Sequence, residues 1–197
     1  MYYKQYGNTD MKVSAIGLGT MRYDEEDIAA GRLEKCAEIP LYAFEKGINY
    51  WDTAPFYCDD KSEIVTGIAL SQVKRSDVYV TSKTNFNTIG QNPTRDDFRR
   101  RLEMSLQRLQ TDYIDFYFVH WPDVNTPIDE TMAALANLKK QGKIRFVGVS
   151  NFSEEQIEEA EKYLQIDVQQ PPFSMVNRTF VDLMKWGAAK GIDSMTY

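Results

Sequence analysis

Histidine occurs once in 197 residues and cysteine twice. Cys36 and Cys58 stand without CxxC spacing and without further histidines to complete a zinc site, so neither a disulfide framework nor a metal centre is supported. Both read as free thiols, with Cys36 on a helix. Long apolar runs are also lacking. No segment approaches the ~18 apolar residues that a membrane span requires, and the start Met1-Tyr2-Tyr3-Lys4 has no apolar signal core, so a cytosolic chain without a membrane partner is expected. Positive charge is in deficit: 23 basic against 29 acidic residues give a formal charge of −6 and a pI of about 4.9. Phosphate contacts need a concentrated basic surface, so general nucleic-acid binding is disfavoured. The nearest basic cluster, Arg99-Arg100-Arg101, lies in a helical pattern with Leu102, Leu106 and Leu109 on another face and reads as a solvated helix face.

The remaining composition is that of an ordinary globular chain, long enough to bury a substantial core as a single domain over residues 1–197. A hairpin is expected from Tyr2 to Tyr6 and Lys12 to Ala15, turning at Gly7-Asn8-Thr9-Asp10, followed by a short buried strand, Ile16 to Thr20. Amphipathic stretches near 32–46, 62–73, 94–110, 128–141, 154–164 and 179–190 then alternate with short apolar runs near 48, 78, 114, 144, 167 and 192. Ser62, Thr94, Thr126 or Asp129, and Ser153 precede helical segments as candidate N-caps, and Gly47, Gly142 and Gly191 follow them as C-terminal stops. Pro40 inside the first long helix predicts a kink.

Strands joined by crossover helices are parallel, and runs apolar on both faces imply a sheet covered on both sides. A doubly wound sheet would bind its cofactor at a glycine-rich turn opening a helix. Here Gly17-Leu18-Gly19-Thr20-Met21-Arg22 lacks the third glycine and leads into Tyr23-Asp24-Glu25-Glu26, which does not read as a helix. A (β/α)8 barrel of the TIM type instead spreads its site over the ends of many strands. That is the pattern here: Asp52 ends the run from Ile48, Lys83 the run from Val78, His120 the run from Ile114, and Ser150-Asn151 the run from Ile144. An α/β barrel with an N-terminal hairpin is therefore the expected fold.

A tyrosine holds its proton at neutral pH and can donate it to an oxygen that develops negative charge. Tyr57 is a candidate acid. An ammonium near it stabilises the phenolate left behind, and a carboxylate holds the ammonium; Lys83 and Asp52, from adjacent strand ends, suit those parts. His120 could orient the substrate oxygen or pass a proton.

The string Asn49-Tyr50-Trp51-Asp52-Thr53-Ala54-Pro55-Phe56-Tyr57 resembles the Asp-Thr-Ala segment and following tyrosine of the aldo-keto reductase family. Further resemblances follow in order: Glu63 with Gly67-Ile68-Ala69-Leu70, Thr81-Ser82-Lys83, Ser105-Leu106 to Leu109, Asp112-Tyr113-Ile114-Asp115 to His120, and Gly142-Lys143-Ile144-Arg145 to Phe152. The resemblance covers nearly every element. It implies reduction of aldehyde or ketone carbonyls with Asp52, Tyr57, Lys83 and His120 as the catalytic set. It also implies a nicotinamide cofactor, NADP(H) in preference to NAD(H), contacted by Gly19, Thr20, Met21, Asp52, Ser150, Asn151, Gln170 and Tyr197. Ser150, Asn151 and Gln170 would hold the carboxamide, whose donor and acceptor suit amides and hydroxyls; Gln169 is also available, and the family register selects Gln170. Tyr197 would stack on the nicotinamide ring, and Met21, Phe56 and Trp121 would line an apolar pocket for a small carbonyl substrate.

The departures from the family are an expected count of only seven barrel strands, against the eight of a barrel that typically runs to about 250 residues, and Asp193 where a small or apolar residue is preferred. Two exposed strand edges would favour instability or self-association. The alternative is a non-catalytic nicotinamide-binding regulatory or interaction subunit on the same fold.

Overall fold

The computed structural model describes residues 1–84, 94–123 and 125–197. An antiparallel hairpin, β1 (Tyr3–Gln5) and β2 (Lys12–Ser14), pairs Tyr3 with Ser14. Seven parallel strands follow in sequential order: β3 (Leu18–Gly19), β4 (Tyr50–Asp52), β5 (Tyr79–Thr84), β6 (Ile114–Val119), β7 (Ile144–Ser150), β8 (Val168–Gln170) and β9 (Asp193–Ser194). The helices are α1 (Glu25–Ala29), α2 (Leu33–Glu45), α3 (Ser62–Leu70), α4 (Arg95–Leu109), α5 (Ile128–Lys140), α6 (Glu154–Glu161) and α7 (Val181–Lys190). The sheet is that of an incomplete (β/α)8 barrel, with β3 and β9 as its two edges.

Alternation along each strand divides the core into two layers. One face of the sheet packs Trp51, Val80, Tyr117, Val147 and Val149 against the helices. The other encloses Tyr50, Phe116, Phe118, Val168 and Met195 together with Tyr6, Met11 and Val13 of the hairpin. Burying a side chain such as Phe116 contributes roughly 1.5–3 kcal/mol, and its ring meets Tyr6 edge-on at 5.4 Å and Tyr50 at 6.1 Å. The hairpin thereby fills the inner layer at the end remote from the strand tips.

Asp193 fastens that hairpin. Its carboxylate accepts from Lys4 Nζ at 2.8 Å, Gly7 N at 3.2 Å and Ser194 N at 2.8 Å. The acidic residue that the family pattern makes unexpected in β9 is thus an anchor between the sheet edge and the first turn.

Several local expectations are corrected. The segment beginning at Tyr23 does contain a helix, α1, capped by Asp24, whose side chain accepts from Asp27 N; three acidic residues in its first turn suit a helix N-terminus. The strand expected from Ile16 to Thr20 is only Leu18–Gly19 and is not buried, Ile16 being 60% exposed; among the described residues it pairs with β4 alone. Thr94 and Ser153 are the N-caps of α4 and α6 as expected, and each forms a capping box besides. Ser62, by contrast, lies inside α3, and Pro127 rather than Thr126 or Asp129 occupies the cap of α5. Gly47, Gly142 and Gly191 all take the left-handed conformation past their helices, as helix stops should. Pro40 is buried within α2, which continues from Leu33 to Glu45 across it.

Candidate active site

In parallel strands separated by helices, the side chains at the strand tips gather on one rim. Register places Gly19 beside Asp52 and Asp52 beside Thr81. Lys83, two residues beyond Thr81, shares its face of the strand. Its ammonium lies 2.6 Å from Asp52 Oδ1 and donates at 3.0 Å to the Thr53 carbonyl. The Lys83 side chain is 1% exposed, so its charge depends on these two partners.

Tyr57 stands above this pair. Lys83 Nζ is 5.0 Å from the centre of the Tyr57 ring, and the His120 ring meets that ring edge-on at 6.0 Å. Burial raises the Tyr57 phenol above its ordinary pKa; Lys83 pulls it down and Asp52 adds to the rise. Burial, followed by Lys83, pushes His120 down to about 4, with Asp52 opposing. The imidazole is therefore neutral at physiological pH and keeps one donor and one acceptor nitrogen. The four residues from separate segments thus form a protonated phenol, an ammonium that can offset a phenolate, a carboxylate holding the ammonium, and a neutral imidazole.

The loop carrying Tyr57 has an unusual backbone: Phe56, Cys58, Asp59 and Asp60 all have positive φ, between 50° and 64°. It is held by Tyr57 N donating to the Pro55 carbonyl at 2.8 Å, Phe56 N donating to Asp60 Oδ1 at 3.2 Å and Ser62 N donating to the Tyr57 carbonyl at 3.1 Å. Beneath it, the Ser62 hydroxyl lies 2.7 Å from the hydroxyls of both Thr20 and Thr53, and 2.8 Å from the Thr20 carbonyl. This hydroxyl cluster was not anticipated from the sequence; three scattered residues 9 and 42 positions apart leave no spacing signal.

A second group lies along β7, β8 and the chain beyond β9. Ser150 Oγ donates to the Gln170 carbonyl at 2.9 Å, and Asn151, at φ 61°, donates to the His120 carbonyl at 3.0 Å and to Ser150 Oγ at 3.1 Å. The Tyr197 hydroxyl donates to Asn151 Oδ1 at 2.7 Å. Of the two adjacent glutamines, Gln170 faces the rim and donates to Asp52 Oδ2 at 2.8 Å, whereas Gln169 donates to the Leu183 carbonyl and Ser194 Oγ on the helix side. A cavity of about 510 Å³ opens between the edges β3 and β9, walled in part by Gly19, Asp52, Gln170 and Tyr197.

The remaining residues singled out in the sequence are dispersed. Thr20 is buried, with its hydroxyl spent on the Asp52 carbonyl and Ser62, so it is a support of the rim rather than an open contact. Met21 and Trp121 are exposed, Trp121 with its ring 6.4 Å from His120. Phe56 is exposed beside a cavity of about 310 Å³ that also involves Lys83 and Met104. The three expected pocket residues thus do not form one closed apolar wall among the described residues.

The sequence profile of the aldo/keto reductase family matches residues 15–197. The chain belongs to the aldo/keto reductase family. This family member is 37% identical over 191 residues to the NADH-specific methylglyoxal reductase of Escherichia coli (strain K12), covering 87% of the chain and 59% of that relative. It is 38% identical over 184 residues to the aldo-keto reductase YhdN of Bacillus subtilis (strain 168), covering 90% and 55%. The chain therefore spans 55–59% of the length of these two curated relatives. Among solved structures, the thermostable aldo-keto reductase Tm1743, crystallised with the inhibitor epalrestat, superposes with a TM-score of 0.88 at 33% identity, covering all of this chain and 72% of that one. The holo form of the aldo-keto reductase AKR11C1 from Bacillus halodurans gives 0.84 at 31% identity, covering 100% and 65%. Aldo-keto reductases use nicotinamide cofactors, and one of these relatives is NADH-specific by name, which gives no support to the preference for NADP(H) expected from the sequence.

Proposed function

We propose that this chain carries the acid–base site of a nicotinamide-dependent reductase that converts a small aldehyde or ketone to an alcohol. The observation that supports this most is the buried Lys83–Asp52 pair beneath Tyr57, with the neutral His120 ring beside it. A buried lysine is costly unless it is paired, and a phenol lifted by burial is a poor acid unless a cation offsets the phenolate. The cluster answers both requirements.

The rim fits a nicotinamide. The Gln170 side-chain amide oxygen accepts no bond from the described residues, Gly19 faces open space where an added Cβ meets nothing within 4 Å, and the Tyr197 ring is exposed at the cavity wall. Gln170 would hold the carboxamide through that amide oxygen and Tyr197 would flank the ring, whereas Ser150 and Asn151, bonded to the Gln170 and His120 carbonyls, to each other and to Tyr197, would have to exchange those bonds to reach it. When bound, the cofactor supplies the hydride. Tyr57 donates its phenolic proton to the carbonyl oxygen as the alkoxide develops. Lys83 holds the phenolate charge, Asp52 and the Thr53 carbonyl keep the ammonium in place, and His120 presents an imidazole hydrogen bond to the same oxygen.

The reading is tested by titrating the purified chain with NADH and with NADPH, following tyrosine and tryptophan fluorescence, and then assaying a reactive 2-oxoaldehyde. Saturable binding with turnover that Tyr57→Phe lowers by at least about 10²-fold is the expected result. A cooperatively folded chain that binds neither nucleotide would refute it.

A further inference from the structure

The acid–base pair is held from a third strand. Asp52 has two carboxylate oxygens: Lys83 takes Oδ1 and the Gln170 side-chain amide takes Oδ2, at 2.6 and 2.8 Å. Gln170 comes from β8, 118 residues away along the chain, so this contact reaches across the interior from β8 to β4, two strands that are not neighbours in the sheet. The residue is 95% buried, and its backbone carbonyl is fixed by Ser150 Oγ. Because an ionised carboxylate can only accept, the amide nitrogen must face Asp52 and the amide oxygen must face away from it. The orientation of Gln170 is therefore dictated by the charge of Asp52.

We infer that Gln170 is a positioning residue for the Tyr57 proton donor: by anchoring Asp52 it sets where, and how strongly, the carboxylate holds the Lys83 ammonium. The inference rests on the reductase reading given above but adds a role that a contact with cofactor alone does not include. A hydrogen bond from Gln170 drains charge from Asp52. Less negative charge on Asp52 leaves more of the Lys83 field directed at Tyr57, which favours proton release. The same glutamine joins the cleft wall to the acid–base pair, because it lines the cavity between β3 and β9 while its amide nitrogen stays on Asp52.

The single histidine supplies the readout. His120 senses both Lys83 and Asp52, and its ring resonances have no other histidine to overlap. In the cofactor-free chain, Gln170→Met removes the donor at near-constant volume. The uncompensated Asp52 charge then moves the His120 titration midpoint upward by about half a pH unit. Gln170→Glu, which sets a second carboxylate against Asp52, moves it in the same direction and serves if the methionine variant does not fold. In turnover, the alkaline limb of kcat governed by Tyr57 shifts upward in Gln170→Met, separately from any rise in the KM for the nucleotide. An unmoved His120 midpoint in folded variants overturns the inference while leaving the reductase reading intact, since a residue that only contacts cofactor has no effect on the empty site. A folded wild-type chain that binds no dinucleotide overturns the reductase reading, and the positioning role with it.

Discussion

Asp52 lies in register with Thr81, yet its ion pair is with Lys83, two residues further along the neighbouring strand. The lysine therefore folds back toward the body of the sheet, and its ammonium sits below Tyr57 rather than out in solvent. This offset is what separates a reactive cluster from a surface salt bridge, whose median worth is under about 1 kcal/mol.

Tyr57→Phe removes one hydroxyl and leaves the ring in place. Turnover of a reactive aldehyde is expected to fall by about 10²–10⁴-fold, the usual contribution of a positioned acid. Nucleotide affinity, measured by fluorescence titration, stays within about twofold because no binding group is lost.

Lys83→Met leaves Asp52 with Gln170 as its one side-chain donor among the described residues and with an unmatched negative charge. A loss of about 3 kcal/mol of stability is expected, as for other broken buried pairs. It should appear in chemical denaturation as a lower midpoint with an unchanged slope. Activity must fall as well, so denaturation is measured before the rate is interpreted.

His120 is depressed to about 4 in the folded chain, against an ordinary value near 6.5. The unfolded chain thus binds more protons than the folded chain between those two values, and stability must rise with pH across that window. The contribution is complete above pH ~6.5 and is lost as pH falls toward ~4, on the order of 2 kcal/mol after allowing for partial exposure of the ring. Thermal melts of wild type and His120→Gln from pH 4 to 7 should diverge in slope over that range; parallel curves would contradict it.

Asp193→Ala cuts the hairpin's attachment to β9 without touching the rim. The lost bonds to Lys4, Gly7 N and Ser194 N are expected to cost about 1–2 kcal/mol. Limited proteolysis should then cleave between Gly7 and Asp10 faster than in the wild type, whereas Asp193→Asn, which keeps an acceptor, shows a smaller change.

The sequence revealed those features that are carried by local pattern. Apolar runs ending in Asp52, Lys83, His120 and Ser150 announced strand tips on one rim, and Gly47, Gly142 and Gly191 marked helix ends through the one conformation they adopt readily. What remained hidden depends on distant partners. β3 is two residues long and pairs with β4 alone among the described residues, which its own apolar run does not reveal. Ser62 looks like a helix cap but turns inward to Thr20 and Thr53. The bond from Gln170 to Asp52 joins two strands that no periodicity connects, and α1 is short enough for its five residues to show no amphipathic period.

The loop bearing Tyr57 carries a design consequence of its own. Four residues other than glycine in left-handed conformations each cost on the order of 1 kcal/mol, and they surround a side chain that must reach into a cleft rather than settle into packing. Glycine at Asp59 would relieve that expense locally, whereas at Asp60 it would also remove the acceptor for Phe56 N; at either position it would widen the range of angles open to the unfolded chain and to the loop itself. Tolerance to mutation and accuracy of aim therefore trade against each other in this segment: the substitutions that make the loop easiest to form are the ones that leave the phenol least well directed.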